Sequence, residues 1–394
     1  MTSLPTSNPH PPRLILIGGF LGAGKTTLIT ETVQQLGRQG LRCGIVTNDQ
    51  SEGLVDSAMA RLSTSEAAVG EVTGACFCCQ LDSLVATVRE LATNLRPDVL
   101  LCEPVGSCTD LRATVLLPLA EIYRMEVRLA PFTAVLDSRR AQSLFRPATT
   151  GRKKGFAKEV TYIFRKQIEE ADVLFLNKCD RLTAEEQQSL LEALRERFPD
   201  KLIFPGSARE GDGVADWLHS WAGDDLPALS PREGAEVLEI DYDRYAYGEA
   251  LLGWYNASLE VSANAEWSGD EWLLAQARKI AHSLSQADME VAHFKMSLQS
   301  EEPAASALAV VNQVLAEEEP VLSRALGAPL QKGNLLINLR AEGEAEKLQK
   351  IVREALLESD DLTLNWQQES FFQPGKPQPT HRLAATSHSF SKAH

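Results

Sequence analysis

The chain has 394 residues, of which 44% are hydrophobic and 24% charged, a composition typical of globular proteins and a length that predicts two domains. Its formal net charge of −15, with one short basic run at residues 152–154, excludes the clustered basic surface of a nucleic-acid-binding protein. No apolar stretch approaches the roughly 20 residues that cross a bilayer, and residues 1–12 lack the apolar segment of a signal peptide. We therefore expect a cytoplasmic protein that binds no membrane and keeps its seven cysteines as thiols.

Residues 1–12 are predicted to form a flexible N-terminus and residues 13–221 an α/β domain. In the latter, short apolar runs alternate with helical segments, which is typical of a mainly parallel sheet with helices on both faces. The predicted strands are residues 14–18, 43–47, 99–103, 133–136, 173–177 and 202–205, and the clearest helices are residues 83–95 and 184–197.

A segment rich in proline, glycine and charge at residues 222–236 predicts a linker to a second domain. That domain, residues 237–372, is predicted to be a smaller α+β unit, with strands at 237–242, 251–262, 291–298 and 334–340 and helices from 270, near 304–318 and at 344–358. The polar residues 373–394 predict a tail that is poorly ordered at its end.

The most informative motif follows the first predicted strand. Residues 19–26 read GFLGAGKT, the G-x-x-x-x-G-K-[ST] pattern of a P-loop NTPase, between a strand and a helix. Its glycines let backbone N–H groups point at phosphate oxygens at the helix N-terminus. Lys25 is predicted to reach the β- and γ-phosphates, and the Thr26 hydroxyl to hold Mg²⁺. The predicted nucleotide contacts of this loop are Gly19, Gly22, Ala23, Gly24, Lys25, Thr26 and Thr27.

Three cysteines within four positions form the next motif: Cys76, Cys78 and Cys79. With Cys108, they are predicted to lie near the strand ends that converge on the nucleotide. Clustered thiolates in a reducing compartment suit Zn²⁺ or Co²⁺, so these four are predicted metal ligands. The alternative interpretation is that buried cysteines simply pack, and we favour it for Cys43 and Cys102, which lie in apolar strand-like runs.

The base-recognition motif is Asn177-Lys178-Cys179-Asp180, which follows an apolar strand. An Asp180 carboxylate can accept two hydrogen bonds from guanine N1–H and N2–H₂, whereas adenine offers no such donor pair. Asn177 is predicted to brace the loop, and the Lys178 stem to lie over the ring. Ser207 and Ala208, after the next strand, complete the site as a loop whose backbone faces guanine O6. The motif predicts GTP over ATP.

Together these motifs resemble the CobW-like family of P-loop GTPases. The resemblance covers nearly the whole chain and rests on GGFLGAGKTT at residues 18–27, CFCC at 76–79, EPVG at 103–106, the guanine motif, and an h-x-K-x-h strand at 293–297. It departs from the family at residues 48–51, NDQS in place of Asn-Glu-Phe-Gly, and at residues 104–110, which add Cys108. A histidine-rich tract is also absent from the sequence. The resemblance implies a metal-handling GTPase without specifying the metal.

The expected chemistry is slow GTP hydrolysis, in which Lys25, Thr26, Asp49 and Glu103 are the candidate catalytic residues and Asp49 or Glu103 reaches Mg²⁺ through water. We hypothesise a metallochaperone that couples the GTP or GDP state to delivery of a metal ion or a cobalt cofactor to a client metalloprotein or corrinoid protein. Two alternatives remain: an assembly or signalling switch with structural cysteines and no metal cargo, and a corrinoid-enzyme reactivation factor. A homodimer is an option, because proteins of this P-loop class often pair.

Overall fold

The first strand, β1 (Arg13–Gly18), lies in the interior of a parallel sheet. The computed structural model describes residues 10–49, 68–73, 75–145, 155–222, 237–301, 308–316, 318–357 and 362–384. The remaining strands of this sheet are β2 (Cys43–Asp49), β3 (Ala68–Thr73), β4 (Val99–Glu103), β5 (Arg128–Leu129), β6 (Thr133–Asp137), β7 (Val173–Asn177) and β8 (Leu202–Pro205). Their order is β3-β2-β4-β1-β6-β7-β8, with β5 beside β1 and every pair parallel.

Helices cover both faces of this sheet. They are α1 (Lys25–Arg38), α2 (Leu81–Asn94), α3 (Leu117–Glu121), which continues a π-helical turn at Arg112–Leu116, α4 (Ser138–Phe145), α5 (Lys158–Glu170), α6 (Ala184–Arg197) and α7 (Val214–His219). On β1, Leu14 and Leu16 pack in the same cluster as α2, whereas Ile15 and Ile17 pack with α1 and α7. Because alternate side chains of a strand point to opposite faces, both faces are buried, and the predicted α/β fold is confirmed.

The second domain is built on an antiparallel sheet. Its strands are β9 (Leu252–Trp267), β10 (Val291–Ser300), β11 (Leu308–Gln313), β12 (Val321–Arg324), β13 (Leu330–Glu342) and β14 (Thr363–Phe372), in the order β12-β11-β10-β13-β9-β14. Its helices are α8 (Tyr242–Ala250), α9 (Gly269–Gln286) and α10 (Ala345–Leu357). The apolar sides of α9 and α10 share one core with the sheet, which confirms the predicted α+β domain. Of the helices in the described ranges, none has the length and apolar run that a bilayer crossing requires.

Two predicted elements of the second domain are wrong. Residues 237–242 form no strand, because the Asp241 side chain accepts hydrogen bonds from the backbone N–H groups of Asp243 and Arg244 and starts α8 there. The predicted helix near 304–318 instead contains β11, whose valines pair with β10 in antiparallel register. Strands β3, β5, β12 and β14 were not predicted either. In the tail, Gln373 and Lys376 bond to the second domain, and residues 378–383 bond to the first. The expectation of disorder concerns the end of the tail, residues 385–394, which lies outside the described residues.

A buried carboxyl at the end of α5 makes the stability of the first domain depend on pH. Glu170 accepts hydrogen bonds from Thr109 Oγ1 (3.1 Å) and the Arg112 backbone N–H (3.4 Å). Burial first, and then the negative charge of Asp110, raises the pKa of Glu170 from 4.5 to about 8. The folded protein therefore keeps a proton that the unfolded chain has already released, so stability falls as the pH rises from the lower pKa to the higher one.

We expect the Glu170→Gln variant to lose this component of the pH dependence. Its free energy of unfolding should fall less steeply with pH, by up to about 1.4 kcal/mol per pH unit, because the amide does not titrate. Urea unfolding between about pH 5 and about pH 8 measures the slope. Glu169→Gln, which changes the partly exposed neighbour that pairs with Lys166, is the control. If the free energy of unfolding falls equally steeply with pH in Glu170→Gln and in the wild type, Glu170 has the same pKa in the folded and the unfolded state.

Candidate functional site

The loop between β1 and α1 lies at the carboxyl edge of the parallel sheet, where ligands bind in folds of this kind. Gly24, which precedes α1, has φ of 97°, and a Cβ at this position would lie 2.3 Å from Asn177 Nδ2. Glycine is required there both by the backbone conformation and by the close approach of Asn177. Lys25 Nζ donates a hydrogen bond to the Gly19 carbonyl oxygen at 3.0 Å. The Lys25 side chain therefore lies along the backbone of the loop that carries it.

The guanine motif is joined directly to this loop. Asn177 Nδ2 donates to the Ala23 carbonyl (2.8 Å), and Asn177 Oδ1 accepts from the backbone N–H groups of Lys178 (2.9 Å) and Ala208 (2.9 Å). Asp180 lies at the surface with Arg209 Nη2 3.5 Å from its carboxylate. The predicted bracing role of Asn177 corresponds to these contacts, which connect the phosphate loop with both halves of the base site.

A buried ion pair supports the lysine of the guanine motif. Lys178 Nζ lies 2.8 Å from Asp137 Oδ2 and donates to the Gly22 carbonyl at 2.8 Å. Burial alone would raise the pKa of Asp137, but the Lys178 charge and the Arg140 backbone N–H outweigh it and lower that pKa. Asp137, at the end of β6, was not singled out from the sequence, because a lone acidic residue after a strand carries no specific signal.

Arg140 connects the two domains beside this ion pair. Its Nη2 donates to the carbonyl oxygens of Val314 (2.6 Å) and Ala292 (3.4 Å), both in the second domain. Its guanidinium also lies 5.1 Å from the ring centre of Phe20, within cation–π range. The nucleotide loop and the second sheet are thus held together by a buried charged side chain.

Oxygen ligands meet at the end of β4. Thr26 Oγ1 donates to the Glu103 carboxylate, whose two oxygens each lie 3.0 Å away. Hydroxyl and carboxylate oxygens are the donors that Mg²⁺ prefers, so this pair fits that ion. Asp49 is the last residue of β2, and its side chain lies outside what the structure describes.

The two domains enclose a cavity of about 470 Å³, within the range of about 300–1,000 Å³ that is usual for small-molecule sites. Its lining includes these predicted nucleotide or catalytic residues: Gly22, Gly24, Lys25, Thr26, Thr27, Glu103, Asn177, Lys178, Asp180 and Ser207. Gly19, Ala23 and Ala208 lie behind them and bond through their backbones to Lys25 or Asn177. The structure therefore gathers these thirteen residues around one site.

Two lining residues that the sequence did not single out as ligands come from β2. Thr47 Oγ1 is buried at the wall and has no hydrogen-bond partner among the described residues. Asn48 follows it and contacts the cysteine loop. Polar side chains at the end of an apolar strand are the signal that could have identified both. In the wall that comes from the second domain, the h-x-K-x-h strand at 293–297 is a sequence signal, but the sequence alone did not place it at the cavity.

The cysteine cluster is compact. Cys76 Sγ lies 2.9 Å from Cys78 Sγ and 3.2 Å from Cys79 Sγ, and all three sulfur atoms lie within 4.8 Å of one another. They form the one metal-compatible group of three or more ligands found within the described residues. Cys108 reaches the same cluster from the segment after β4, and its thiol contacts Cys76 and Cys78. Cys43, Cys102 and Cys179 are buried in apolar clusters instead.

The cluster favours a thiolate at its centre. Hydrogen bonds from the thiols of Cys108, Cys78 and Cys79 lower the pKa of Cys76 well below that of a free thiol. Contact with Cys76 raises the pKa of Cys79 to about 11, and the same contact together with burial raises that of Cys108. One negative sulfur surrounded by three thiols is a set of soft donors suited to Zn²⁺ or Co²⁺.

Asn48 links this cluster to the nucleotide cavity. Its Nδ2 donates to the carbonyl oxygens of Val72 (2.9 Å) and Ala75 (2.8 Å), and its Oδ1 accepts from the Phe77 N–H (2.7 Å). The same residue lines the cavity and is 6% exposed. Asn48 therefore joins the cavity wall to the backbone on both sides of Cys76.

The C-terminal segment lies across the outer side of the cluster. The Gln378 N–H approaches Cys79 Sγ at 3.3 Å, and the Thr380 N–H donates to the Cys78 carbonyl at 2.8 Å. Arg382 Nε lies 2.7 Å from Asp110 Oδ2, two residues beyond Cys108. These contacts place residues 378–382 over a site some 300 residues earlier in the chain.

Comparison with known proteins agrees with the motifs. The family model described as the CobW/HypB/UreG nucleotide-binding domain matches residues 13–204. A zinc-regulated GTPase metalloprotein activator 1 of Dictyostelium discoideum is 27% identical over 208 residues, 45% of this chain and 42% of that protein. The zinc chaperone YeiR of Escherichia coli is 30% identical over 203 residues (51% and 57%), and the zinc chaperone CobW of a Sinorhizobium species 28% identical over 202 (47% and 55%). The chain spans about half the length of these relatives.

Proposed function

We propose, from the premise that residues 13–204 belong to the CobW/HypB/UreG nucleotide-binding family, that this protein is a GTP-hydrolysing metallochaperone. GTP or GDP occupies the cavity at the P-loop, and Zn²⁺ or Co²⁺ is the cargo of Cys76, Cys78, Cys79 and Cys108. The observation that carries the proposal is the position of Asn48, which lines the nucleotide cavity and holds the cysteine loop by three hydrogen bonds. The relatives that are named zinc chaperones favour zinc.

The hydrolytic half of the proposal uses the oxygen ligands and the phosphate loop. Thr26 and Glu103 would hold Mg²⁺, which would neutralise charge on the β- and γ-phosphates. Lys25 leaves the Gly19 carbonyl and pairs with the phosphates, while backbone N–H groups of the loop orient them. Glu103 or Asp49 orients the attacking water. Catalysis of this kind depends on positioning and electrostatic stabilisation, so a slow rate is expected until a partner or metal completes the site.

The cargo half depends on exchange rather than permanent binding. Cys79 is only half-buried, and the cluster lies under a segment that crosses it without covalent attachment. Nucleotide state changes the end of β2, Asn48 passes the change to the loop, and the affinity for the metal changes with it. By thermodynamic reciprocity, the metal must then alter the relative affinities for GTP and GDP.

Asn48→Ala is expected to break this connection. Loss of three hydrogen bonds should weaken Zn²⁺ binding by about 10- to 100-fold, the usual effect of removing a residue that supports metal ligands. The ratio of Zn²⁺ affinities with a non-hydrolysable GTP analogue and with GDP should also approach one. Competition with a chromophoric chelator in each nucleotide state measures both quantities, with thermal unfolding as the check on folding.

Asn94→Ala, at the exposed end of α2, is the matched control and should leave both quantities unchanged. Equal Zn²⁺ affinity of the wild type in the two nucleotide states would contradict the delivery proposal and favour a switch with structural cysteines. The proposed partners are a client, either a metalloprotein or a corrinoid protein, and a second copy of this chain in a homodimer. Seven cysteines without a disulfide support a cytoplasmic location.

A further inference from the structure

One face of the second sheet carries a row of polar side chains across four strands. Asn256 on β9, Asn338 on β13, Lys295 on β10 and Asn312 on β11 are successive Cα partners in the strand register. The apolar residues that flank them along the strands belong to the core that the sheet shares with α9 and α10. Asn256, Lys295 and Asn338 are each at most 8% exposed. Within the row, Asn338 Nδ2 donates a hydrogen bond to Asn256 Oδ1 at 3.0 Å.

Three members of this row, Lys295, Asn312 and Asn338, line the cavity that the P-loop also lines. Lys295 and Asn338 line the cavity together with Lys25. The two walls approach each other at Gly22, where an added Cβ would lie 3.1 Å from the Ala292 carbonyl oxygen. Lys295 follows three residues later on β10, about 10 Å along the strand. Lys295 therefore belongs to the same cavity lining as Lys25, on a strand that approaches the phosphate loop at Gly22.

The charge of this wall selects an anion. Lys295, Arg324 and Arg340 all line the cavity, in a chain whose formal net charge is −15. Of the carboxylates in the cavity lining, the two from the second domain are in ion pairs: Glu318 with Arg181 (2.7 Å) and Glu319 with Arg278 (3.8 Å). A cationic cavity in an acidic protein attracts anionic ligands and raises their local concentration.

We propose that Lys295 contacts the γ-phosphate of bound GTP, so that the second domain distinguishes GTP from GDP. The inference rests on the GTP-binding part of the proposed function and does not depend on the metal. Backbone N–H groups of a P-loop surround the inner phosphates, which leaves the opposite wall to the terminal one. GDP lacks this group, so Lys295 contributes to the affinity for GTP and not to that for GDP.

The test uses the full chain and three substitutions. Lys295→Met should weaken binding of a non-hydrolysable GTP analogue by about 10-fold or more while GDP affinity stays within about twofold. The Lys295→Arg variant should keep most of the wild-type GTP affinity, because the positive charge remains. Asn338→Asp, which adds a carboxylate to the row, should also weaken GTP more than GDP. Lys350→Met, on the exposed surface of α10, is the control.

Calorimetry with the GTP analogue, GDP and guanosine separates the outcomes. An equal loss for all three ligands would overturn the inference, because it would place Lys295 against the base or ribose, or show general unfolding. Unchanged GTP affinity in Lys295→Met would overturn it as well. If Lys295→Met does not fold, Asn338→Asp and Lys295→Arg decide on the same ratio. A wild-type protein that binds neither GTP nor GDP would instead defeat the proposed function itself.

Discussion

Serine in place of Cys76 is expected to weaken Zn²⁺ binding by about 100-fold or more. Zinc sites of four protein ligands have binding free energies of about 10–16 kcal/mol, so that each ligand contributes a few kcal/mol. Cys76 is the sulfur that contacts Cys78 at 2.9 Å, Cys79 at 3.2 Å and also Cys108, and serine removes the soft donor at the centre of the group. Competition with a chelator of known affinity, under reducing conditions, measures the loss.

Two further serine variants define the ligand set. Cys108→Ser should lower Zn²⁺ affinity to a similar degree if four thiolates bind the metal. Cys102→Ser, which changes a buried cysteine of β4 with no place in the cluster, is the matched control. Normal Zn²⁺ affinity in Cys108→Ser would restrict the sulfur ligands to the three in residues 76–79, and normal affinity in Cys76→Ser would place the metal elsewhere.

Asparagine in place of Asp180 should abolish most of the preference for guanine. A carboxylate accepts hydrogen bonds from both guanine N1–H and N2–H₂. An amide has only one acceptor oxygen, and its N–H₂ group would face one of the two guanine donors. Sites that bind a ligand through paired polar groups discriminate by about 10⁴- to 10⁵-fold, so a fall of about 100-fold or more in the GTP-to-ATP affinity ratio is expected. Titration with fluorescent GTP and ATP analogues gives the ratio.

Asp216→Asn, on the exposed side of α7, is the control for the charge change and should keep the preference for GTP. Asp180 is held at the mouth of the cavity near Arg209, at 3.5 Å, and belongs to no buried core, so the variant should fold normally. Retention of the wild-type ratio in Asp180→Asn would show that another part of the cavity reads the base.

The phosphate loop and the guanine motif could be predicted because their requirements are local. A glycine with positive φ before a helix and an Asn-Lys-x-Asp segment after a buried strand each carry their geometry within a few residues. The parallel sheet then brings both to one edge, whatever the loops between them. The wrong helix near 304–318 has the opposite origin: its alanine and glutamate residues favour a helix locally, but the valines of β11 gain more by pairing with β10.

The contacts that connect the cysteine cluster, the cavity and the C-terminal segment could not be predicted from local patterns. Asn48 bonds to residues some 25–30 positions later, and Gln378 to a cysteine almost 300 positions earlier. No periodicity or motif spacing indicates such pairs, since each depends on how separate strands and segments pack. The same holds for Lys295. The sequence identifies it as the lysine of the h-x-K-x-h strand, but only the strand register places it in a row with three asparagines.

By itself the sequence determined which chemical groups this protein has: the glycine loop of a P-loop, the carboxylate of an Asn-Lys-x-Asp motif and a cluster of thiols. These follow from residue type and short spacing, because backbone conformation and ligand chemistry act over a few residues. Only the tertiary structure decided that Cys108 joins the cluster, that Asn48 connects it to the cavity, and that the second sheet closes the cavity with Lys295. Such contacts arise from packing between distant segments, and burial of the whole core determines them.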